Sequence, residues 1–237
     1  MDDSMIVRME LLAAKAGLKI DEFAERWRQH AELTLKPEKG LGRHHHNLII
    51  DRTQKGIVFQ RGQLEFDGIA QMWFDDLNQM RRAFPSHEPS LATDRASFVS
   101  DVTTLTKVPN PVITCRTGGS VVKRMSTIRR RPEMSQERFQ REWFETHAYL
   151  VRRMPGVLGY TQNLVIDRST AQGGASADEV PIDGVVEFIF RDAAAIEAAF
   201  TSDSGLTTMA HAKEFISEIS TFIVEVTEFP LGIHRSS

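Results

Sequence analysis

With 237 residues, 41% of them hydrophobic and 26% charged, the chain can bury one large core or two small ones, which excludes disordered and fibrous classes. A formal net charge of −3, with no basic stripe beyond Arg129, Arg130 and Arg131, excludes a nucleic-acid partner, and that short run reads as a solvated strand end. No uncharged apolar run reaches the roughly 18 residues of a membrane helix, so no membrane partner is expected; one cysteine, Cys115, and no leader-like start predict a reducing, cytoplasmic home.

The first element pattern is Arg8-Met9, then Phe23, Trp27 and His30-Ala31 on one helical stripe, then Asn47 to Arg52, Asp67-Gly68, Phe74, Ala83-Phe84 and Phe98 to Val102. A shift of 116 positions lays this series on Arg124-Met125, Phe139, Trp143, Asn163 to Arg168, Asp183-Gly184, Phe190 and Ala199-Phe200, and one further residue aligns Phe215 to Ile219. The chain is therefore a tandem duplication, not a solenoid. Lys107 to Pro111, with two prolines, reads as the join, giving a first repeat over 1–108, a linker over 109–118 and a second repeat over 119–237.

In the second copy, the β-branched run Val121 to Ile128 predicts a strand, and Ser135 offers an N-cap to a helix that carries Phe139, Trp143, His147, Leu150 and Met154 on one face until Pro155-Gly156 stops it. Tyr160 to Ile166 and Gly184 to Phe190 predict two strands around a loop rich in Gly, Ser and Ala. Asp192 then caps a helix through Phe200, a short helix spans His211 to Ser217, and a strand near Thr221 to Val226 closes a β-α-β-β-α-β order. This is the α+β, ferredoxin-like arrangement, with both helices on one sheet face. The bare face needs a cover, and the other repeat is the expected partner, so the two halves should form an intrachain pseudo-dimer of barrel type.

Taken together, Arg129 to Ser135, Phe139, Trp143, His147-Ala148, Pro155-Gly156, Tyr160, Asn163 and Asp183-Gly184 resemble the EthD family over nearly the whole second copy. The first copy is similar but departs from the pattern: it lacks the Arg-Pro turn, brings His30 one residue closer to Trp27, and carries His44 at the Tyr160 position. The resemblance implies a dimeric α+β barrel with a pocket between sheet and helices. It further implies cofactor-independent isomerase or lyase chemistry, such as lactone isomerisation or cyclisation, on a small aromatic-derived or carboxylate metabolite. The alternative is a non-catalytic small-molecule-binding or accessory protein of a degradation operon.

His147 suits proton transfer near neutral pH, although a stripe histidine is also a common core residue. His30 occupies the related stripe, and Trp27 and Trp143 can line a ligand pocket or simply fill the core. Strand alternation suggests a polar pocket facing the other half, with Arg124 beside Glu187 and with Arg8, Glu10 and Gln71 opposite. There Arg124 would hold a carboxylate or enolate, Glu187 or His147 would move a proton, and Tyr160 would donate a hydrogen bond, with Asn163, His44 and Arg8 as further substrate contacts; the competing reading is an ion-pair network that sets how the halves pack. His44 and His46 share a strand face, but no further ligands lie nearby in sequence, so no metal is expected. A haem-binding protein with His147 or His211 as axial ligand is a further alternative, but neither lies in a haem-binding signature; no cofactor is expected. A small-molecule substrate is the expected partner, together with a possible homodimer of the two-repeat chain.

Overall fold

The structure, a computed structural model, describes residues 6–34, 42–84, 93–116 and 118–229. The first repeat comprises β1 (Ile6–Ala14), α1 (Ile20–Thr34), β2 (Arg43–Asp51), β3 (Gly68–Phe74), α2 (Leu77–Ala83) and β4 (Val99–Ile113). In the second, β5 (Val122–Arg130) leads into α3 (Gln136–Arg141), a π-helical turn over Glu142–His147 and α4 (Ala148–Val151). There follow β6 (Gly159–Thr170), the two-residue β7 (Gly173–Gly174), β8 (Gly184–Phe190), α5 (Ala193–Thr201), α6 (Asp203–Phe215) and β9 (Ile216–Phe229).

Each repeat orders its strands in the ferredoxin-like way, β4-β1-β3-β2 in the first and β9-β5-β8-β6 in the second, all antiparallel. β2 pairs with β9 and β4 pairs with β6, so the two sheets join edge to edge and close into one barrel. Closure removes the open edges that each four-strand sheet would otherwise present to other chains. Helices cover the outside, and the two inner faces bury Met9, Leu11, Leu105, Met125, Val185 and Phe222 between them.

Two sequence features repeated in both halves have a direct packing cause. Asp67 accepts the backbone N–H of Ala14, and Asp183 accepts that of Arg130, so each Asp ties off the end of its repeat's first strand. The following glycine lies under an indole: a Cβ on Gly68 would stand 2.4 Å from Trp27, and one on Gly184 would stand 2.3 Å from Trp143. Asp-Gly is thus the floor on which each helix-borne tryptophan rests.

The predicted caps Ser135 and Asp192 are present, accepting from Arg138 and Ala195. Two boundaries differ from expectation. Lys107 to Pro111 is not a linker but the second half of β4; beyond Lys107 this strand pairs with β6 only, so Pro109 and Pro111 lose no ladder bond that the fold requires. The irregular connection follows Ile113 instead. The last helix begins at Asp203, capped by Ser202, because Gly205 permits close approach to α5, where a Cβ would meet the Ala199 carbonyl at 2.1 Å. At the other end of β5, Arg131 is exposed as expected of a strand end, whereas Arg129 and Arg130 pair with Glu218 and Asp183. No helix among the described residues is long and apolar enough to cross a membrane.

Candidate functional site

Beneath the helices of the second repeat lies a small cavity, partly open to solvent, lined on the sheet side by Arg124, Ser126, Tyr160, Val186 and Phe188 and on the helix side by His147, Phe200 and Met209. Three of the residues singled out from the sequence as catalytic, Arg124, His147 and Tyr160, meet here. Glu187 does not. Cross-strand register sets Arg124 opposite Phe188 and Met125 opposite Glu187, so Arg124 faces the helices and Glu187 faces the barrel interior. The expected Arg124–Glu187 neighbourhood is therefore wrong, because the alternation was started on the wrong face and a one-residue slip exchanges the faces.

Arg124 is 2% exposed. Its Nη1 donates to the Lys55 carbonyl at 2.9 Å and its guanidinium lies 4.4 Å from the Phe200 ring, but no carboxylate among the described residues pairs with it. Burial alone pushes it down to about 10, which still leaves a full positive charge at neutral pH. The first repeat answers the same need internally. Arg8, over Phe84 as Arg124 is over Phe200, donates to Glu10, and Arg95 also pairs with Glu10; the second repeat has Ser126 where the first has Glu10.

His147 ends the π-helical turn. Its offset from His30 is one residue longer than that of Trp143 from Trp27, and the wide turn absorbs this extra residue, where the first repeat has a plain α-helix. Gln162 reaches into the widened turn, donating to the Trp143 carbonyl at 2.5 Å and to the Tyr160 hydroxyl at 3.1 Å. The hydroxyl proton of Tyr160 thus remains available for a ligand, and burial raises this phenol well above its ordinary range, so it stays a donor. His147 Nδ1 stands 3.4 Å from His211 Nδ1, and His211 Nε2 lies 3.5 Å from Glu142. Burial, then His211, lowers His147 to about 3, so its imidazole is neutral at pH 7. The two histidines proposed as alternative haem ligands are thus turned toward each other, which gives that reading no support.

The interior face holds a separate polar cluster. Glu187 accepts from Lys107 at 2.9 Å, from Gln71 at 2.7 Å and from Asn163 at 3.1 Å, while its other oxygen lies 2.8 Å from Lys123. Lys123 also donates to Asn47 and Gln71, so residues of both repeats interlock about one carboxylate. Glu187 is held well below the usual carboxylate range because the two ammonium groups overcome the cost of burial, the largest opposing influence, and Lys107 is pushed down to about 8 chiefly by burial. Glu187 and Asn163 thus lie in the ion-pair and hydrogen-bond network between the halves, outside the cavity that holds Arg124, His147 and Tyr160. Lys107 and Lys123 were not singled out from the sequence; a lysine beside a valine in each of two β-branched runs was the available signal.

The remaining candidates lie in the first repeat. His30 Nδ1 is 2.6 Å from Asp94, and Trp27 stacks on His46 at 3.7 Å. His44 and His46 do share a face, but no group of three His, Cys, Asp or Glu suited to a metal ion occurs among the described residues. His44 is buried with neither ring nitrogen hydrogen-bonded, and burial lowers it to about 4. Arg8 and Glu10 also face the helices, not the barrel interior as expected; of the set placed opposite, only Gln71 is interior.

The EthD domain pattern matches residues 15–101 and again 131–219. The chain belongs to the EthD family. Its two EthD repeats have whole-length structural counterparts: an anthrone oxidase-like protein (TM-score 0.65, 7% identity, 96% of this chain and 94% of that one) and a protein of Lactobacillus acidophilus NCFM provisionally termed a monooxygenase (0.57, 11%, 97% and 97%). A chlorite dismutase variant from Candidatus Nitrospira defluvii is similar at TM-score 0.52 and 11% identity, covering 98% and 94%. At these identities the likeness shows the fold, a dimeric α+β barrel within one chain. No curated protein matches.

Proposed function

We propose that the second EthD repeat binds a small, partly apolar anion, an aromatic-derived carboxylate or a phenolate, and moves a proton on it without a cofactor, as an isomerase or lyase. The observation that carries this reading is the guanidinium of Arg124, buried in a largely apolar cavity, held by the Lys55 carbonyl and the Phe200 ring and without a carboxylate partner among the described residues. A buried cation without a counter-charge is costly, and an anionic ligand removes the cost.

In this reading Arg124 holds the carboxylate, or the enolate oxygen that forms when a proton leaves the adjacent carbon. Tyr160 donates its free hydroxyl proton to the same oxygen. His147 takes the proton from carbon and returns it to another carbon or to a leaving group, with the resulting imidazolium backed by His211 and Glu142. Bound negative charge favours the protonated imidazole and raises His147 from its value in the empty pocket. The neighbours termed oxidase-like and monooxygenase support a role on small organic molecules in the same coarse sense. One observation favours the non-catalytic rival: His147 at about 3 is a weak base in the free protein.

The test begins with native mass spectrometry of untagged protein for a retained acid or phenol, followed by titration with benzoate. Arg124→Leu should lose the ligand and bind benzoate at least tenfold more weakly, the order of effect expected when one charge-assisted contact is removed. Undiminished benzoate binding by that variant would reject the anion site. With the retained compound as substrate, His147→Ala should bind but not turn over; turnover at the wild-type rate would leave only the binding role.

A further inference from the structure

The cavity of the second repeat is not built by that repeat alone. The connection between β2 and β3 leaves the first repeat and runs along the second: Gln60 bridges to Glu218, Gly62 N–H donates to Ser220, Arg61 reaches the Thr221 carbonyl, and Thr221 donates to the Thr53 carbonyl. At the tip of this arm, Lys55 supplies the carbonyl that holds Arg124, and Ile57 lines the cavity. Gly56 between them has φ +72° and lies so close to Phe200 that a Cβ would fall 2.6 Å from the ring-bearing Cβ. Only glycine accommodates both the backbone shape and the contact.

The corresponding connection of the second repeat does something else. After β6 it turns back on its own strand, pairing Gly173 and Gly174 with Thr170 and Ser169, and both glycines are exposed. Its later residues Ala175, Val180 and Ile182 pack into the end of the barrel. The first arm hydrogen-bonds to strand β9 of the other repeat, whereas the second is hydrogen-bonded to its own repeat and meets the first through the shared apolar core, although both join equivalent strands.

We infer that residues 55–57 of the first repeat are the positioning and specificity element of the second repeat's pocket: the Lys55 carbonyl aims the Arg124 guanidinium, and the Ile57 side chain limits the size of the apolar group the anion may carry. This rests on the anion-binding reading above. The pocket is then a two-repeat site, and the tandem fusion fixes in one chain the loop that completes it. Lys55 acts through its backbone carbonyl, while its ammonium pairs with Asp51 at 3.2 Å; Ile57 acts through its side chain.

The experiment compares benzoate with 4-tert-butylbenzoate on the full chain, by calorimetry, for wild type, Ile57→Ala and Ile57→Phe. Val58, which is 88% exposed on the same arm, provides Val58→Ala as a control. Wild type should prefer benzoate. Ile57→Ala should shift the preference toward the bulky acid by on the order of tenfold, the scale of one or two methyl groups in an apolar pocket, and Ile57→Phe should weaken both acids. Val58→Ala should match wild type. An unchanged ratio in Ile57→Ala overturns the proposal. If benzoate fails to bind wild type, the anion reading falls, and the arm is then judged without a ligand by ¹⁵N NMR of the Arg124 guanidinium. Slow rotation in wild type that becomes fast in Gly56→Ala, with the melting transition still cooperative, supports the positioning role; equal rotation in both overturns it.

Discussion

Arg124 and Glu187 show how differently a buried charge behaves with and without a partner. Glu187 is surrounded by donors, and Glu187→Gln would leave Lys107 and Lys123 facing each other without a counter-charge. That substitution should lower stability by about 3–5 kcal/mol in urea unfolding at pH 7, the range for breaking one partner of a buried pair. Arg124 has no such partner among the described residues, so Arg124→Leu should leave the unfolding midpoint unchanged or raise it while benzoate binding is lost. A large loss of stability in Arg124→Leu would mean that the guanidinium serves the fold. His44 and His147 make a further claim at this scale. Their folded values, about 4 and about 3, lie below the roughly 6.5 of an unfolded histidine, so as pH falls from 6.5 toward 4 the unfolded chain gains protons that the folded one does not. Stability should therefore decline across that window, by about 1.4 kcal/mol per pH unit for each histidine. Urea midpoints at pH 7.5, 5.5 and 4.5 measure this, and His147→Phe should flatten the slope.

Among the elements, the π-helical turn links a one-residue difference between repeats to the chemistry of the pocket. The extra residue before His147 widens the turn, the Trp143 carbonyl accepts Gln162, and Gln162 orients Tyr160. The first repeat, with its regular helix, places His46 at the Gln162 position, stacked on Trp27. Deleting Thr146 restores the spacing of the first repeat and should give a folded protein in which Tyr160 loses its anchor. Far-UV circular dichroism should be retained, while benzoate affinity falls several-fold; unaltered affinity would show that the turn has no part in the site. The helix stripe and its cap at Ser135 could be read directly from residue spacing, but the spacing of Trp143 and His147 fits an α-helix as well as a π-turn. What decides between them is a side chain from another strand entering the turn.

For the molecule as a whole, barrel closure by β2–β9 and β4–β6 makes each repeat the cover of the other. Residues 119–237 alone would expose Met125, Val185 and Phe222 and two unpaired strand edges. Light scattering should find that fragment dimeric or aggregated at concentrations where the full chain is dispersed; a stable monomeric fragment would contradict the interdependence described here.

The sequence by itself determined the duplication, the ferredoxin-like order of each copy, the recurrence of Asp-Gly in both, and the choice of Arg124, His147 and Tyr160 as candidates; that Trp rests on the glycine and that these three line one cavity came from the tertiary structure. The former are carried by spacing within one repeat, where hydrophobic period and capping chemistry act locally. Which face of a strand looks inward is beyond the sequence, and the expectation that Arg124 and Glu187 share one fails, because alternation gives parity without an origin; the register against neighbouring strands alone placed Glu187 in the barrel and Arg124 in the pocket. Equally, no local signal distinguishes a loop that folds back from one that crosses to the other repeat. Contacts more than a hundred residues apart decided that Lys55 and Ile57 complete the site.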